Sequence, residues 1–130
     1  MPRTRYLAQD GLLVNYDDTN VFARILRREL PVTVLHEDEM CMAFADAAPQ
    51  APVHFLVIPK RPIARLMDAV AEDKEVLGHL LLVANEVGRE LGVADGGYRV
   101  VINNGEGAGQ TVFHLHVHVL AGRQLAWPPG

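Results

Sequence analysis

Phe113-His114-Leu115-His116-Val117-His118-Val119-Leu120 alternates histidine with apolar residues. Because neighbouring side chains of a β-strand point to opposite faces, this period of two predicts a strand with all three histidines on one face. Leu115, Val117 and Val119 occupy the other face and are expected to join the core. Three partly buried imidazoles are costly to desolvate for a structural purpose alone, so the histidine face is predicted to be a functional site.

The rest of the chain predicts the elements that surround this strand. A short helix is expected after a cap at Thr19 or Asn20 and should stop at Pro31, and one long helix should end at Gly92. The fold class is therefore predicted to be α+β, with two helices and a five-stranded antiparallel sheet. The β-prone segments outside the histidine strand are 32–36, 40–45, 53–58 and 98–102.

Length and composition limit the possible partners. With 130 residues, 49% of them hydrophobic and 22% charged, the chain has the size of one domain. A net charge of -4 with scattered basic residues argues against a nucleic-acid partner. No apolar run approaches the ~20 residues of a membrane span, and no leader pattern is evident, so a cytoplasmic protein without a membrane partner is expected.

Two regions differ in character from the periodic segments. Residues 1–19 show no clear period and are predicted to be an N-terminal extension, a candidate for disorder, before a domain at 20–130. Cys41 is the single cysteine, so no internal disulfide can form. Its apolar neighbours favour a small buried side chain over a nucleophile.

Two kinds of chemistry fit the aligned histidines. Two of them could join His54 in an open zinc site, although the outer pair, roughly 13 Å apart along a strand, cannot reach one ion. Alternatively, a neutral imidazole could attack phosphorus without any metal or other cofactor, while its neighbours stabilise the phosphoryl charge. The glycine-rich segment 103–111 favours the second chemistry, because its backbone N–H groups can approach an anion closely.

The histidine stretch resembles the His-φ-His-φ-His-φ-φ motif, with φ apolar, of the histidine triad (HIT) superfamily. The resemblance covers roughly residues 20–130, and the Trp-Pro-Pro-Gly ending at 127–130 is similar to the Hint branch in particular. Members of that branch are purine nucleoside phosphoramidases. The other matching segments are 21–22 with Ile25, 44–46, 49–52, 54–60, 78–80 and 109–110.

The resemblance implies a role for each site residue. His116 would be the nucleophile that forms a covalent nucleotidyl-histidine. His114, His118 and His54 would orient it and contact the phosphate. Thr111 would supply a proton to the leaving amine. The residues implied to bind the nucleotide are Phe22, Ile25 and Phe44 at the base, Asp46 at the ribose, Asn103, Gly109, Gln110, Thr111, His116 and His118 around the phosphate, and Trp127 from the C-terminal tail.

The resemblance also implies an activity and an assembly. The expected reaction is hydrolysis of the P–N bond in amine conjugates of AMP or GMP. The expected partner is a second copy of the chain, with two five-stranded sheets joined into ten strands and the tail helping to shape the partner's site. Two alternatives remain: a dinucleoside polyphosphate hydrolase of the same superfamily, and a nucleotide-binding or zinc-binding scaffold protein.

Two positions depart from the Hint pattern. Thr111 stands where Ser is typical, which keeps the hydroxyl but adds a stiff methyl group. Ala47 is smaller than the usual Ile, which predicts a looser base or ribose pocket. Neither departure affects the proposed nucleophile.

Overall fold

The computed structural model describes residues 4–7 and 13–130. In these residues seven strands and two α-helices form an α+β fold, which confirms the predicted fold class. The elements in chain order are β1 (Thr4–Leu7), β2 (Leu13–Tyr16), α1 (Val21–Leu26), β3 (Val34–Glu37), β4 (Cys41–Ala45), β5 (Val53–Pro59), α2 (Lys74–Glu90), β6 (Tyr98–Val101) and β7 (Val117–Ala121).

The main sheet has five strands in the order β3-β4-β5-β7-β6, and every neighbouring pair is antiparallel. The nearly continuous apolar run of β5 lies at the centre, as such a run predicts. β7 is paired on both sides, with β5 and with β6. The strand that carries the end of the histidine motif is therefore an interior strand.

The two faces of this sheet bury different clusters. Ala43, Val57 and Val119 lie in one cluster, against the apolar stripe of α2. Phe44 and Leu56 lie in the other, with Phe22 and Ile25 of α1. The short helix α1 is capped by Asn20, whose Oδ1 accepts a hydrogen bond from the Ala23 N–H at 2.9 Å, so the predicted cap is confirmed.

The predicted histidine strand is only partly regular. Its ladder begins where Val117 faces Val57, so the prediction of a strand through 113–116 is wrong. Before that point the Leu115 N–H donates to the Ile63 carbonyl at 2.7 Å, which turns the chain into the sheet. The predicted division of faces is confirmed, because Leu115, Val117 and Val119 all lie in the α2-side cluster.

Within the N-terminal extension, β1 pairs with β2 in antiparallel register. Residues 1–3 and 8–12 of the extension lie outside the described residues, and the boundary at 20 stays a prediction. Among the described residues, no helix is both long and apolar enough to cross a membrane.

Candidate active site

A cavity of about 350 Å³ opens between α1, the end of β4, and the segments that precede β7. This volume lies in the range of small-molecule sites. The cavity brings together nine of the thirteen site residues named from the sequence. The lining residues are Val21, Phe22, Ile25, Val32, Phe44, Ala45, Asp46, Ala47, Leu56, Asn103, Gly109, Thr111, Val112, His116 and His118.

His116 is held in one tautomer by the backbone. Its Nδ1 lies 2.7 Å from the carbonyl oxygen of His114. A carbonyl can only accept, so the neutral ring carries its hydrogen on Nδ1 and leaves Nε2 unprotonated. The Phe22 ring packs edge-on against the imidazole at a centroid distance of 4.8 Å and fixes its orientation. His116 therefore presents a pre-oriented nitrogen lone pair at the cavity.

The tautomer of His118 is set by a chain of hydrogen bonds. The Gln50 N–H donates to His54 Nδ1 at 3.0 Å, so neutral His54 carries its hydrogen on Nε2. His54 Nε2 lies 2.9 Å from His118 Nδ1 and donates to it. The hydrogen of His118 consequently lies on Nε2. The side chain is then a donor suited to a phosphoryl oxygen.

His114 lies behind the cavity and does not line it. Its Nε2 donates to the Pro59 carbonyl at 2.7 Å, which leaves Nδ1 to accept a hydrogen bond from the Tyr16 hydroxyl. The Asn20 amide donates in turn to that hydroxyl at 2.9 Å. The side chain of His114 is thus a support, and its own carbonyl orients His116.

Burial keeps all three motif imidazoles neutral near pH 7. Desolvation lowers the pKa of His114 to about 4, against an opposing effect of its bond to the Pro59 carbonyl. Desolvation and the neighbouring imidazoles of His116 and His54 lower the pKa of His118 to about 4. Burial also lowers the pKa of His116. A nucleophilic imidazole must be unprotonated, so these shifts favour nucleophilic chemistry.

Asp46 follows the last residue of β4 and lies at the rim of the cavity. Its Oδ1 accepts a hydrogen bond from the Ala48 N–H at 2.8 Å, and its Oδ2 lies 3.4 Å from His54 Nε2. Because its carboxylate is held by the turn, it offers fixed acceptor oxygens to a polar ligand.

Phe22, Ile25 and Phe44 belong to the core and line the cavity as well. The rings of Phe22 and Phe44 meet edge to face at 5.6 Å. Their place in the core is therefore compatible with the implied role at the base of a nucleotide. Phe22 and Phe44 form an aromatic wall of the cavity beside His116, where a planar ligand group would find apolar contact.

The glycine-rich loop takes a conformation that requires glycine at two positions. Gly105 and Gly109 have φ angles of 95° and 94°, which other residues rarely adopt. The side chain of Gln110 holds the loop closed: its Nε2 donates to the carbonyls of Ala64 and Val112, and its Oε1 accepts from the Gly105 N–H. Gln110 is buried and its side chain does not line the cavity.

Four residues named from the sequence do not line the cavity: His114, His54, Gln110 and Trp127. The first three support residues that do. Trp127 is 81% exposed in the C-terminal tail. The tail is tied to β6, because Arg99 donates to the carbonyl of Ala126 at 2.9 Å.

Tyr16 is a site-supporting residue that sequence reasoning missed. It precedes the capped helix in a segment without a hydrophobic period, so no local pattern points to it. Its side chain is only 3% exposed, and its ring packs edge-on against His114 at 5.6 Å. The contact joins positions 98 residues apart, which no short-range pattern can reveal.

We expect Tyr16→Phe to lower the free energy of unfolding by about 1–3 kcal/mol, because His114 Nδ1 loses its buried donor. The turnover number should fall severalfold, since His114 positions His116, while KM should change little. Urea unfolding and steady-state kinetics measure the two effects. Tyr98→Phe is a matched control, because it removes a hydroxyl that donates to Asn85 away from the cavity. An equal loss of turnover in both variants would contradict the positioning role of Tyr16.

Comparisons with known proteins agree with this geometry. The HIT domain family matches residues 27–125. An uncharacterised HIT-like protein of Synechococcus elongatus is 56% identical over 114 residues, covering 88% of this chain and 98% of the relative. A 14 kDa zinc-binding protein of Zea mays is 49% identical over 116 residues, covering 88% and 90%.

Solved structures give the same assignment. A HIT family hydrolase from Legionella pneumophila superposes with a TM-score of 0.83 at 44% identity, covering 85% of this chain and 99% of that chain. A histidine triad nucleotide-binding protein from Candida albicans superposes with a TM-score of 0.72 at 30% identity, covering 84% and 82%. The chain belongs to the HIT domain family. Its structural neighbours support a hydrolase in general and are consistent with a nucleotide ligand.

Proposed function

We propose that this protein hydrolyses the P–N bond of purine nucleoside monophosphates conjugated to an amine, such as conjugates of AMP or GMP. The observation that carries the proposal is the 2.7 Å contact between His116 Nδ1 and the His114 carbonyl. Because this contact places the hydrogen on Nδ1, the lone pair of Nε2 can attack phosphorus. The cavity volume and its aromatic wall support a nucleotide as the substrate.

The proposed reaction has two covalent steps. His116 Nε2 donates its lone pair to phosphorus and forms a P–N bond, while the bond from phosphorus to the substrate amine breaks. The amine leaves with a proton from the Thr111 hydroxyl, and His118 Nε2–H stabilises a phosphoryl oxygen. Water then attacks phosphorus, and the bond between His116 Nε2 and phosphorus breaks. One proton of this water restores the Thr111 hydroxyl, the nucleoside monophosphate is released, and the imidazole is neutral again.

Asp46 and the aromatic wall would select the nucleoside. The fixed carboxylate oxygens suit the hydroxyl groups of a ribose, and Phe22 and Phe44 suit the apolar faces of a purine. Ala47 lines the same cavity and is exposed, so the pocket is open at this position.

We infer that the active form is a homodimer. β6 is an edge strand of the sheet, and Val100 on it is 40% exposed. Leu82 on α2 is 67% exposed and Trp127 is 81% exposed. Unpaired edges and exposed apolar side chains are the features that a second copy would cover.

The substrate class is tested by comparing two substrates in parallel. We expect an adenosine phosphoramidate to give kcat/KM at least about tenfold higher than a diadenosine polyphosphate. The two substrates share the nucleotide and differ in the leaving group, so the ratio of their kcat/KM values reports on the leaving-group site. A higher value for the polyphosphate would support the alternative hydrolase of the same superfamily.

A zinc-binding scaffold protein is a second candidate. Asp46, His54 and His118 place ligand atoms within 4.8 Å of one another at the cavity. The maize relative is named as a zinc-binding protein, which adds support. If zinc bound by these residues proved necessary for turnover, the metal-free mechanism above would be replaced.

A further inference from the structure

A second group of metal-ligand side chains lies far from the cavity. His36 on β3, Asp38 in the following turn, Cys41 at the start of β4 and His79 on α2 place their ligand atoms within 4.8 Å of one another. We propose that these four residues form a structural zinc site. The site is independent of the proposed catalysis.

The carboxylate of Asp38 lies at the centre of the cluster. Its Oδ2 is 2.7 Å from Nε2 of His36, 2.7 Å from Nε2 of His79 and 3.6 Å from Sγ of Cys41. Its Oδ1 accepts hydrogen bonds from the N–H groups of Met40 and Cys41, which hold the carboxylate in place. Three further ligands therefore converge on one oxygen that the turn has already oriented.

The distances are close to those of a tetrahedral site. Bonds of ~2.0–2.1 Å to nitrogen, ~2.0–2.2 Å to oxygen and ~2.3 Å to sulfur place ligands of one zinc ion roughly 3.3–3.6 Å apart. The thiol of Cys41 already lies at this distance from the carboxylate. Each imidazole would have to retreat by about half an ångström or more. His36 and His79 are half-buried, so their side chains have room to do so.

The ligand set favours zinc over other common ions. Two imidazoles, one thiolate and one carboxylate are ligands that zinc accepts, whereas magnesium and calcium require oxygen. A thiolate and a carboxylate neutralise the two charges of the ion, which suits a partly buried position. Binding would release the Cys41 thiol proton to solvent, and each imidazole would carry its remaining hydrogen on Nδ1.

The position of the cluster indicates a structural role. All four positions of a tetrahedral ion would be filled by protein, which leaves none for a substrate. Cys41 begins β4 and Asp46 follows its end, so the cluster and the cavity lie at opposite ends of this strand. Cys41 also packs on the α2 side of the sheet, whereas the cavity lies on the α1 side. A bound ion would link the β3–β4 hairpin to α2.

Cobalt(II) titration of the full, chelator-treated protein tests the site, because a cobalt–thiolate bond gives a near-ultraviolet charge-transfer band. We expect this band to saturate at about one equivalent of cobalt, zinc to displace it, and about one proton to be released per ion. Cys41→Ser should abolish the band, and His79→Gln should weaken cobalt binding at least tenfold. His118→Gln is the matched control at the cavity cluster and should leave the band unchanged.

Stability gives a second measurement. Zinc should raise the Tm of the wild-type protein and of Glu86→Gln, an exposed control on the same helix, and should have little effect on His79→Gln. His79 is half-buried on α2, so its variant is expected to fold even if Cys41→Ser does not. A folded wild-type protein without a thiolate band would overturn the proposal. Cobalt binding insensitive to His79→Gln would overturn it as well.

Discussion

His116→Ala should abolish turnover of an adenosine phosphoramidate, with a loss of at least about 10³-fold in kcat. The variant removes the side chain that attacks phosphorus in the first step of the proposed mechanism and forms the covalent intermediate. His118 cannot replace it, because its Nδ1 accepts from His54 and its Nε2 carries a hydrogen. Single-turnover kinetics measure the loss. Rapid quenching followed by mass spectrometry should detect one added nucleoside monophosphate on His116 of the wild-type protein.

The control for this variant is ligand binding. His116→Ala should still bind AMP within about tenfold of the wild-type affinity, because Phe22, Phe44 and Asp46 still line the cavity. Thermal unfolding should confirm that the variant is folded. Wild-type turnover by His116→Ala, or an adduct on another residue, would contradict the proposed role.

The sequence predicted the sheet because its patterns are local. The alternation from Leu115 to Val119 reports burial on one face, and the cap at Asn20 reports a helix start, so neither requires knowledge of distant contacts. The pattern failed at the beginning of the histidine strand. There the Leu115 N–H bonds to Ile63 instead of a strand partner, a contact that periodicity cannot reveal.

Most residues that line the cavity could be predicted from the sequence, but the contacts that orient them could not. The lining residues come from short motifs, whereas the tautomers depend on partners far away in the chain. His118 is set by a bond to His54, 64 positions earlier, and His114 by contacts to Pro59 and Tyr16. Gln110 was predicted to lie around the phosphate. Its side chain instead donates to the Ala64 carbonyl and holds the loop closed, another contact between residues far apart in the chain.

The cluster at His36 and His79 was invisible for a related reason. Asp38 and His79 are 41 residues apart and meet only because α2 packs against the hairpin. Cys41 was interpreted as a small buried side chain, and the structure agrees that it is fully buried. Burial raises the pKa of its thiol to about 12, so the metal-free thiol is a poor nucleophile. Its neighbours suggest a ligand instead.

Acidification should destabilise the folded protein well above the pH at which carboxylates become protonated. The pKa values of His114 and His118 are lowered from 6.5 to about 4 in the folded state. Between these values the unfolded chain binds more protons, so the free energy of unfolding falls as the pH decreases from about 6.5 to about 4. Each imidazole contributes up to about 1.4 kcal/mol per pH unit in this window. Urea unfolding at a series of pH values from 7 to 4.5 measures the slope.

His114→Gln separates the contribution of one imidazole, because its side chain does not titrate. Between pH 6.5 and 4.5 the free energy of unfolding of this variant should change less steeply with pH than that of the wild-type protein. The difference should correspond to about one proton fewer taken up on unfolding, even if the variant is less stable throughout. A wild-type free energy of unfolding that stays constant from pH 7 to 4.5 would show that these imidazoles become charged without unfolding. That result would also weaken the proposed mechanism, because neutral imidazoles at the cavity depend on the same burial.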